Sequence, residues 1–453
     1  MKLKTTSLLI AGTLFGAAML PAQANNEAMA DLLKVLRDKG TISAEDYNML
    51  KNAAAADQEK TEAAQAEVKK QVEEATANMP VIETDGKLVI ADREGNWEFQ
   101  PIGRVMWDAI DTDEDDSGAE DFHGTELRRA RLGFEGSIYD WGYKFEADFA
   151  TGGNSGSDSE VSIKDAFISY GNKFNDLAYD VKLGQSHIAY GLNTKISSKY
   201  MTFMDRPWFA DSTVSPARES GAVFSLAEKD YRWLVSAGLT NGEIEGGSTD
   251  SNGSTFSARA SFVPYMQDKN HLIQVGLGYL TKGGGDDFRF RQRLVSHKDA
   301  TRHLDTSTFE IDGADAYTVD AMGVFGSFHA MAEYNDFTAE RTAGSDVDIT
   351  GYAVEAGYFL TGESLKWKKG FTSGISPNSS AGAWQIAARF ETLEIDDSAN
   401  SDEADKWTVG LNYYPTKNTR LMLNYDKVTD LKVDGSSVNY EPSALKFRAQ
   451  AYW

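Results

Sequence analysis

The chain has 453 residues, 41% hydrophobic and 25% charged, with a formal net charge of -24 and no cysteine. The acidic balance argues against a general nucleic-acid binder, which needs a basic surface. The missing thiols exclude disulfides, thiolate metal sites and cysteine nucleophiles.

The first 24 residues read as an address. Lys2 and Lys4 form a basic start, Ser7 to Leu20 an apolar core, and Ala22-Gln23-Ala24 the small-x-small pattern of a secretory signal peptide. A transmembrane anchor is the weaker reading, because the apolar run is short and meets Pro21. No later segment approaches the length of an apolar membrane helix.

Residues 25–80 read as helix. Leu32, Leu33, Val35 and Leu36 recur at helical spacing, and Gly40 stops the run. Ser43 and Asp46 open a second helix, which an Ala/Glu/Gln/Lys stretch carries to about Met79 before Pro80. Val68, Val72, Ala75 and Met79 have heptad spacing, but Gln58, Thr61 and Gln65 interrupt it. A solvated single helix and a short coiled-coil stalk both fit. Residues 81–96 are expected to be a linker.

From Trp97 the period changes to two. Leu445, Phe447, Ala449, Ala451 and Trp453 alternate with Lys446, Arg448 and Gln450. Trp407, Val409, Leu411 and Tyr413 alternate with Thr408, Gly410 and Asn412. Each such run is about ten residues, enough to cross a bilayer as a tilted strand with one apolar and one polar face. A soluble sandwich alternates too. Two features favour a barrel: short turns alternate with long polar loops, and the last residue is an aromatic that closes an apolar stripe. Sixteen runs can be placed between 97–110 and 442–453. The expected fold is an all-β membrane protein, a sixteen-stranded antiparallel transmembrane β-barrel over 97–453, with an N-terminal helical periplasmic region. A barrel of that size leaves an aqueous lumen instead of a packed core.

Catalytic signatures are absent. There is no nucleophile elbow, zinc helix, P-loop or dinucleotide fingerprint, and the six histidines share no ligand spacing. No enzyme activity, cofactor or metal is expected. Acidic residues gather in expected external loops, as at Asp111-Thr-Asp-Glu-Asp-Asp116 and Asp396-Asp397. They read as a rim facing lipopolysaccharide, or as plain solubilising charge, and the first run lacks the glycine an EF-hand needs.

Arginines at alternating positions are the candidate solute contacts. In Leu127-Arg-Arg-Ala-Arg-Leu132, parity turns Arg129 and Arg131 to the lumen. Arg128 has the lipid-side parity but lies near the external rim, with room to bend inward. Arg289, Arg291 and Arg293 share one edge of an extended loop, about 6.5–7 Å apart, and His297, Lys298, Arg302 and His303 follow. Such charges are either solvated and paired with acidic loops, or a ladder. Guanidiniums bind phosphate-like oxyanions through paired donors, and closely spaced sites pass an ion along without deep trapping.

At these residues the chain resembles the phosphate-selective porins O and P of Gram-negative outer membranes. The likeness is carried by Glu126-Leu-Arg-Arg-Ala-Arg-Leu132, Gly191-Leu-Asn-Thr-Lys-Ile-Ser-Ser-Lys199, Arg289-Phe-Arg-Gln-Arg293, Leu360-Thr-Gly-Glu363 and Gly382-Ala-Trp-Gln-Ile386. It implies a homotrimer of sixteen-stranded barrels, with the third and fifth loops folded into the pore and an inward-folding turn at 361–382. By position it implies solute contacts at Arg128, Arg129, Arg206, Arg289, Arg291 and Arg293, with Lys195 beside a central lysine position. Two departures stand out. Gly142 follows Trp141, and Thr194 precedes Lys195, where phosphate-specific members carry lysines. General anion permeation fits this pattern better than strict phosphate specificity.

The expected function is passive outer-membrane diffusion of small anions, with phosphate or polyphosphate as candidate solutes. The alternatives are a general or cation-preferring porin, and a structural or adhesive barrel whose loops bind a partner.

Overall fold

A computed structural model of the chain describes residues 21–76, 79–114, 120–150, 161–243, 253–285, 287–299, 302–397 and 401–453. The expected signal peptide lies, as far as residue 20, outside the described residues. The chain forms two units, 1–100 and 101–453.

In the first unit, α1 (Pro21–Asp38) and α2 (Ala44–Thr76) are joined by a tight turn. Gly40 takes φ +70°, which ends α1 without a side-chain clash. The Ser43 hydroxyl accepts the Asp46 amide at 3.0 Å and bonds its carboxylate at 2.6 Å, capping α2. The Arg37 guanidinium lies 4.5 Å from the Tyr47 ring centroid and ties the two helices together. The expected linker at 81–96 is more ordered than its composition implies. Val81–Glu83 and Val89–Ala91 pair antiparallel, and Ile90 and Ala91 pair onward with Phe99 and Glu98.

The second unit is the barrel. Its first eight strands are β1 (Trp97–Asp113), β2 (His123–Ile138), β3 (Trp141–Asp148), β4 (Ser162–Phe174), β5 (Leu177–His187), β6 (Arg218–Glu228), β7 (Trp233–Thr240) and β8 (Thr255–Asp268). The rest are β9 (His271–Gly283), β10 (Phe309–Phe325), β11 (Phe328–Arg341), β12 (Val347–Phe359), β13 (Ala383–Asp396), β14 (Ser401–Thr416), β15 (Thr419–Val433) and β16 (Ser443–Tyr452). Each strand lies beside its chain neighbours, and β16 pairs antiparallel with β1 from Ser443↔Asp113 to Tyr452↔Arg104. The sheet therefore closes with no free edge.

Alternation decides the faces. On β16, Lys446, Arg448 and Gln450 are buried inside, while Leu445 and Trp453 stay exposed. Outward aromatics pair into a girdle, as in Trp384 on Tyr413 at 4.4 Å and Trp141 on Tyr170 at 5.1 Å. The short turns hold Tyr139, Asn175, Tyr231 and Gly326 at φ 53, 55, 59 and 59°, the left-handed conformation that matches hairpin twist.

Infolded loops fill part of the lumen. Loop 188–217 and loop 284–308 turn inward and bring Tyr190, Trp208, Phe209, Phe290 and Leu294 with them. These meet inward-facing Phe337, Ile349, Leu393 and Ile395 near the long-loop end of the wall. Segment 361–382 also folds in: the Trp367 indole N–H donates to Gln274 Oε1 at 2.8 Å, and Gln274 Nε2 donates to the Gly370 carbonyl at 3.0 Å. The infolding that the resemblance implies for the two long loops and for 361–382 is thus present, and part of the wall they meet is apolar on its inner side.

Two predictions follow from this architecture. The Trp453 ring covers Gly103, where an added Cβ would sit 2.3 Å from Trp453 Cζ2. Trp453→Ala and Gly103→Val should each lower the amount of heat-modifiable barrel in the membrane fraction, and wild-type amounts would refute the closing role. Deleting 27–79 should leave a heat-modifiable, inserted barrel, since no strand pairing involves those residues; loss of insertion would show that the helices serve assembly.

Candidate functional site

The site starts with a slip in one strand. Along β2, His123, Thr125 and Leu127 are exposed, then Leu132 and Phe134 are, so the outward parity changes between them. The slip falls at Arg128–Arg129 and turns both guanidiniums inward, as a β-bulge would. Arg129 is 6% exposed, and its Nη1 donates to Met106 Sδ at 3.8 Å.

Opposite them lies a cavity of about 240 Å³, walled by β2, loop 188–217 and loop 284–308. Arg128, Arg129, Arg206, Arg291, Arg293 and Arg302 line it, with Lys406 from β14. Each is held differently. Arg206 donates to the carbonyls of Asn193 and Ile196 at 3.0 and 2.7 Å and pairs with Asp211 at 3.0 Å. Arg293 donates from Nε to the Asp299 carbonyl at 2.7 Å. Lys406 meets Glu391 at 2.6 Å and lies 4.1 Å from the Trp208 ring centroid. Among the described residues, Arg128, Arg129, Arg291 and Arg302 have no carboxylate within salt-bridge distance.

Two carboxylates share the cavity. Burial would raise the Asp211 carboxyl, but Arg206, Arg218 and Arg129 outweigh it and hold it at about 2. Burial works the same way on Asp205, where Lys446 and Arg448 win and hold it well below the usual range; Lys446 lies 2.7 Å away. Both anions are thus ionised and already matched by a cation. Two guanidiniums about 6 Å apart at an effective dielectric of about 20 repel by about 3 kcal/mol. Four without a salt-bridge partner around one cavity leave it with more cations than anions.

Trp208 sets the spacing. Its indole N–H donates to the carbonyls of Arg293 and Leu294 at 3.0 and 3.1 Å, and its own carbonyl accepts Gln292 Nε2 at 2.8 Å. The two loops are stapled together at the arginines they carry.

Five of the sequence candidates meet at this cavity: Arg128, Arg129, Arg206, Arg291 and Arg293. Three do not. Arg131 bonds Asp148 at 2.7 Å and sits 3.8 Å from Glu146. Lys195 donates to the Ile188 carbonyl at 2.9 Å and lies over the Phe371 ring at 5.7 Å. Arg289 pairs with Asp305 in the open part of the loop, at 2.7 Å from Nε. At the two departures, Thr194 bonds Ser215 across the hydroxyls at 2.7 Å, and Gly142 leaves room that Ser169 fills. Two further cations line the cavity outside the sequence candidates, Arg302, which the sequence reading named without a role, and Lys406, which it missed. Its inward parity with Thr408, Gly410 and Asn412 was the available signal.

Lys195 generates a test. Burial pushes its amine down to about 7 from about 10.4 when unfolded. A base lowered by folding costs stability below its unfolded pKa, so the fold should gain stability as pH rises from about 7 toward about 10. Lys195→Met should raise the unfolding temperature at pH 7 and flatten that dependence, read by heat-shift on gels. An unchanged unfolding temperature would show that the ammonium is fully compensated.

Comparison with known proteins agrees with this architecture. A family model described as phosphate-selective porin O and P matches residues 99–453. Porin O of Pseudomonas aeruginosa is 26% identical over 423 residues, covering 82% of this chain and 92% of that protein. An uncharacterized protein of Caulobacter vibrioides is 27% identical over 356 residues, covering 73% of this chain and 68% of its own. Among solved structures, the anion-selective porin from Comamonas acidovorans superposes with a TM-score of 0.52 at 14% identity, over 79% of this chain and all (100%) of that one. That likeness is one of fold.

Proposed function

The chain belongs to the phosphate-selective porin O and P family, and from that premise we propose that its pore prefers small anions. Membership makes it an outer-membrane porin, a channel and not an enzyme. The observation that carries the preference is the convergence of Arg128, Arg129, Arg291 and Arg302, none with a carboxylate partner among the described residues, on one cavity inside the barrel.

The cavity volume suits an inorganic oxyanion, with phosphate or polyphosphate units as candidate solutes. Lysines are missing at 142 and 194, so the reading favours small anions in general over phosphate alone. The fuller assignment has residues 1–24 as a signal peptide, 25–80 as a periplasmic helical region, 81–96 as a short connecting hairpin and 97–453 as the pore domain. It includes a homotrimer and an acidic rim toward lipopolysaccharide.

One observation favours a cation-preferring pore, the net charge of -24 with Asp111 and Asp113 near the long-loop end. The zero-current potential in a salt gradient decides between them. The wild type should favour anions, and the combined Arg128→Ala, Arg129→Ala, Arg291→Ala change should move the potential toward cations. The paired change Arg289→Ala with Asp305→Ala, which removes a matched cation and anion together, should leave it nearly unchanged. A cation-selective wild type would overturn the reading.

A further inference from the structure

We propose that Glu333 is a positioning residue that sets the pore's anion preference by fixing Arg206 at the cavity; the inference rests on the anion-preferring reading. Glu333 stands on β11, is 3% exposed and does not line the cavity. Its Oε1 accepts the Leu192 amide at 2.7 Å and the Thr318 hydroxyl at 3.0 Å. Its Oε2 accepts the Asn193 amide at 2.7 Å and the Asn193 side-chain amide at 2.8 Å. One carboxylate therefore takes four donors, three of them from a single turn, Leu192–Lys195.

The far side of that turn is what holds Arg206. The Asn193 and Ile196 carbonyls accept Nε and Nη2 of Arg206, and the Ile196 amide closes on the Leu192 carbonyl at 3.1 Å. Carboxylate, turn and guanidinium form one chain of hydrogen bonds, in which Asn193 is gripped by its N–H on one side and its C=O on the other. Gly191 makes the approach possible. It has φ +34°, and a Cβ there would lie 3.2 Å from Glu333 Oε1 and 3.1 Å from Thr194 Oγ1. The Gly191-Leu-Asn-Thr-Lys195 stretch thus has a physical purpose apart from its lysine.

Sign separates this role from a direct one. As a plain lumenal charge, Glu333 would repel anions, and its removal would strengthen anion preference. As the anchor of Arg206, its removal frees Nε and Nη2 from the turn and loosens the cation that matches Asp211 at the cavity, which weakens anion preference.

Purified full-length protein in planar bilayers tests this by zero-current potential in a salt gradient. Glu333→Gln keeps the size but presents an amide donor where an N–H must be accepted. It should shift the potential toward cations by about as much as Arg206→Ala does, and the double variant should match either single one, as expected for groups acting in series. Gly191→Ala, which alters no charge, should shift it the same way and serves if Glu333→Gln fails to insert. A shift toward anions, no shift, or an additive double variant would overturn the role of Glu333. A cation-selective wild type would overturn the anion reading instead, while equal shifts in Glu333→Gln and Arg206→Ala would still uphold the coupling.

Discussion

A loop that enters a barrel brings its backbone N–H and C=O groups into a space with little water, and each must find a partner. An unmatched buried group costs about 1–3 kcal/mol, whereas a made bond contributes about 1. Loop 188–217 meets this constraint through the wall. Arg420 donates to the Met201 carbonyl at 2.6 Å, Arg448 to Met204 at 2.7 Å and Arg389 to Asp205 at 2.8 Å. Asn424 accepts the Met204 amide at 2.8 Å, and Asn412 donates to the Thr202 carbonyl at 2.9 Å. The polar inner face of the last strands is thus a mould for the loop, and the long side chains there are structural before they are electrostatic.

The same accounting separates lumenal arginines into two kinds. Arg104 meets Glu146 at 2.6 Å, Arg218 meets Asp165 at 2.9 Å, and Arg448 meets Asp108 at 2.7 Å. Arg259 is held by Asp320. These pairs stiffen the wall and present almost no net charge to a passing ion. Charge left over for a solute comes from positions where the wall lacks a carboxylate, and those gather at the junction of the two infolded loops. A count of lumenal arginines would therefore misjudge the pore.

The division explains what could be read without coordinates. Outward faces keep an apolar stripe because lipid demands it, so strand number and closure were visible in the pattern from Trp97 to Trp453. Inward faces obey no such rule. Phe337, Ile349 and Leu393 face apolar loops, and nothing in their own strands announces it. Arg128 was placed by a one-residue slip, which depends on the partner strand and not on local composition. Arg131 has the right parity, yet Asp148 and Glu146 on β3 neutralise it. Arg289 was grouped with Arg291 and Arg293 by spacing alone. Asp305, sixteen residues on and opposite Arg291 in register, takes its charge.

Net charge and local charge point opposite ways here, and the proposed anion preference rests on local placement outweighing the total. Rim carboxylates stand in water, where at about 0.15 M salt their field fades over about 8 Å. The cavity guanidiniums stand inside the barrel, where low-dielectric walls focus field lines. On the proposed reading, an entering anion exchanges part of its hydration for donors already oriented by Trp208 and by the turn at 192–195. Because several cations share the cavity, none binds the anion alone, and their mutual repulsion is relieved by whichever site is occupied. That arrangement keeps binding favourable enough for entry and shallow enough for exit. Thr194, bonded to Ser215, and Gly142 add no cation of their own, which on the proposed reading suits throughput of small anions more than capture of one.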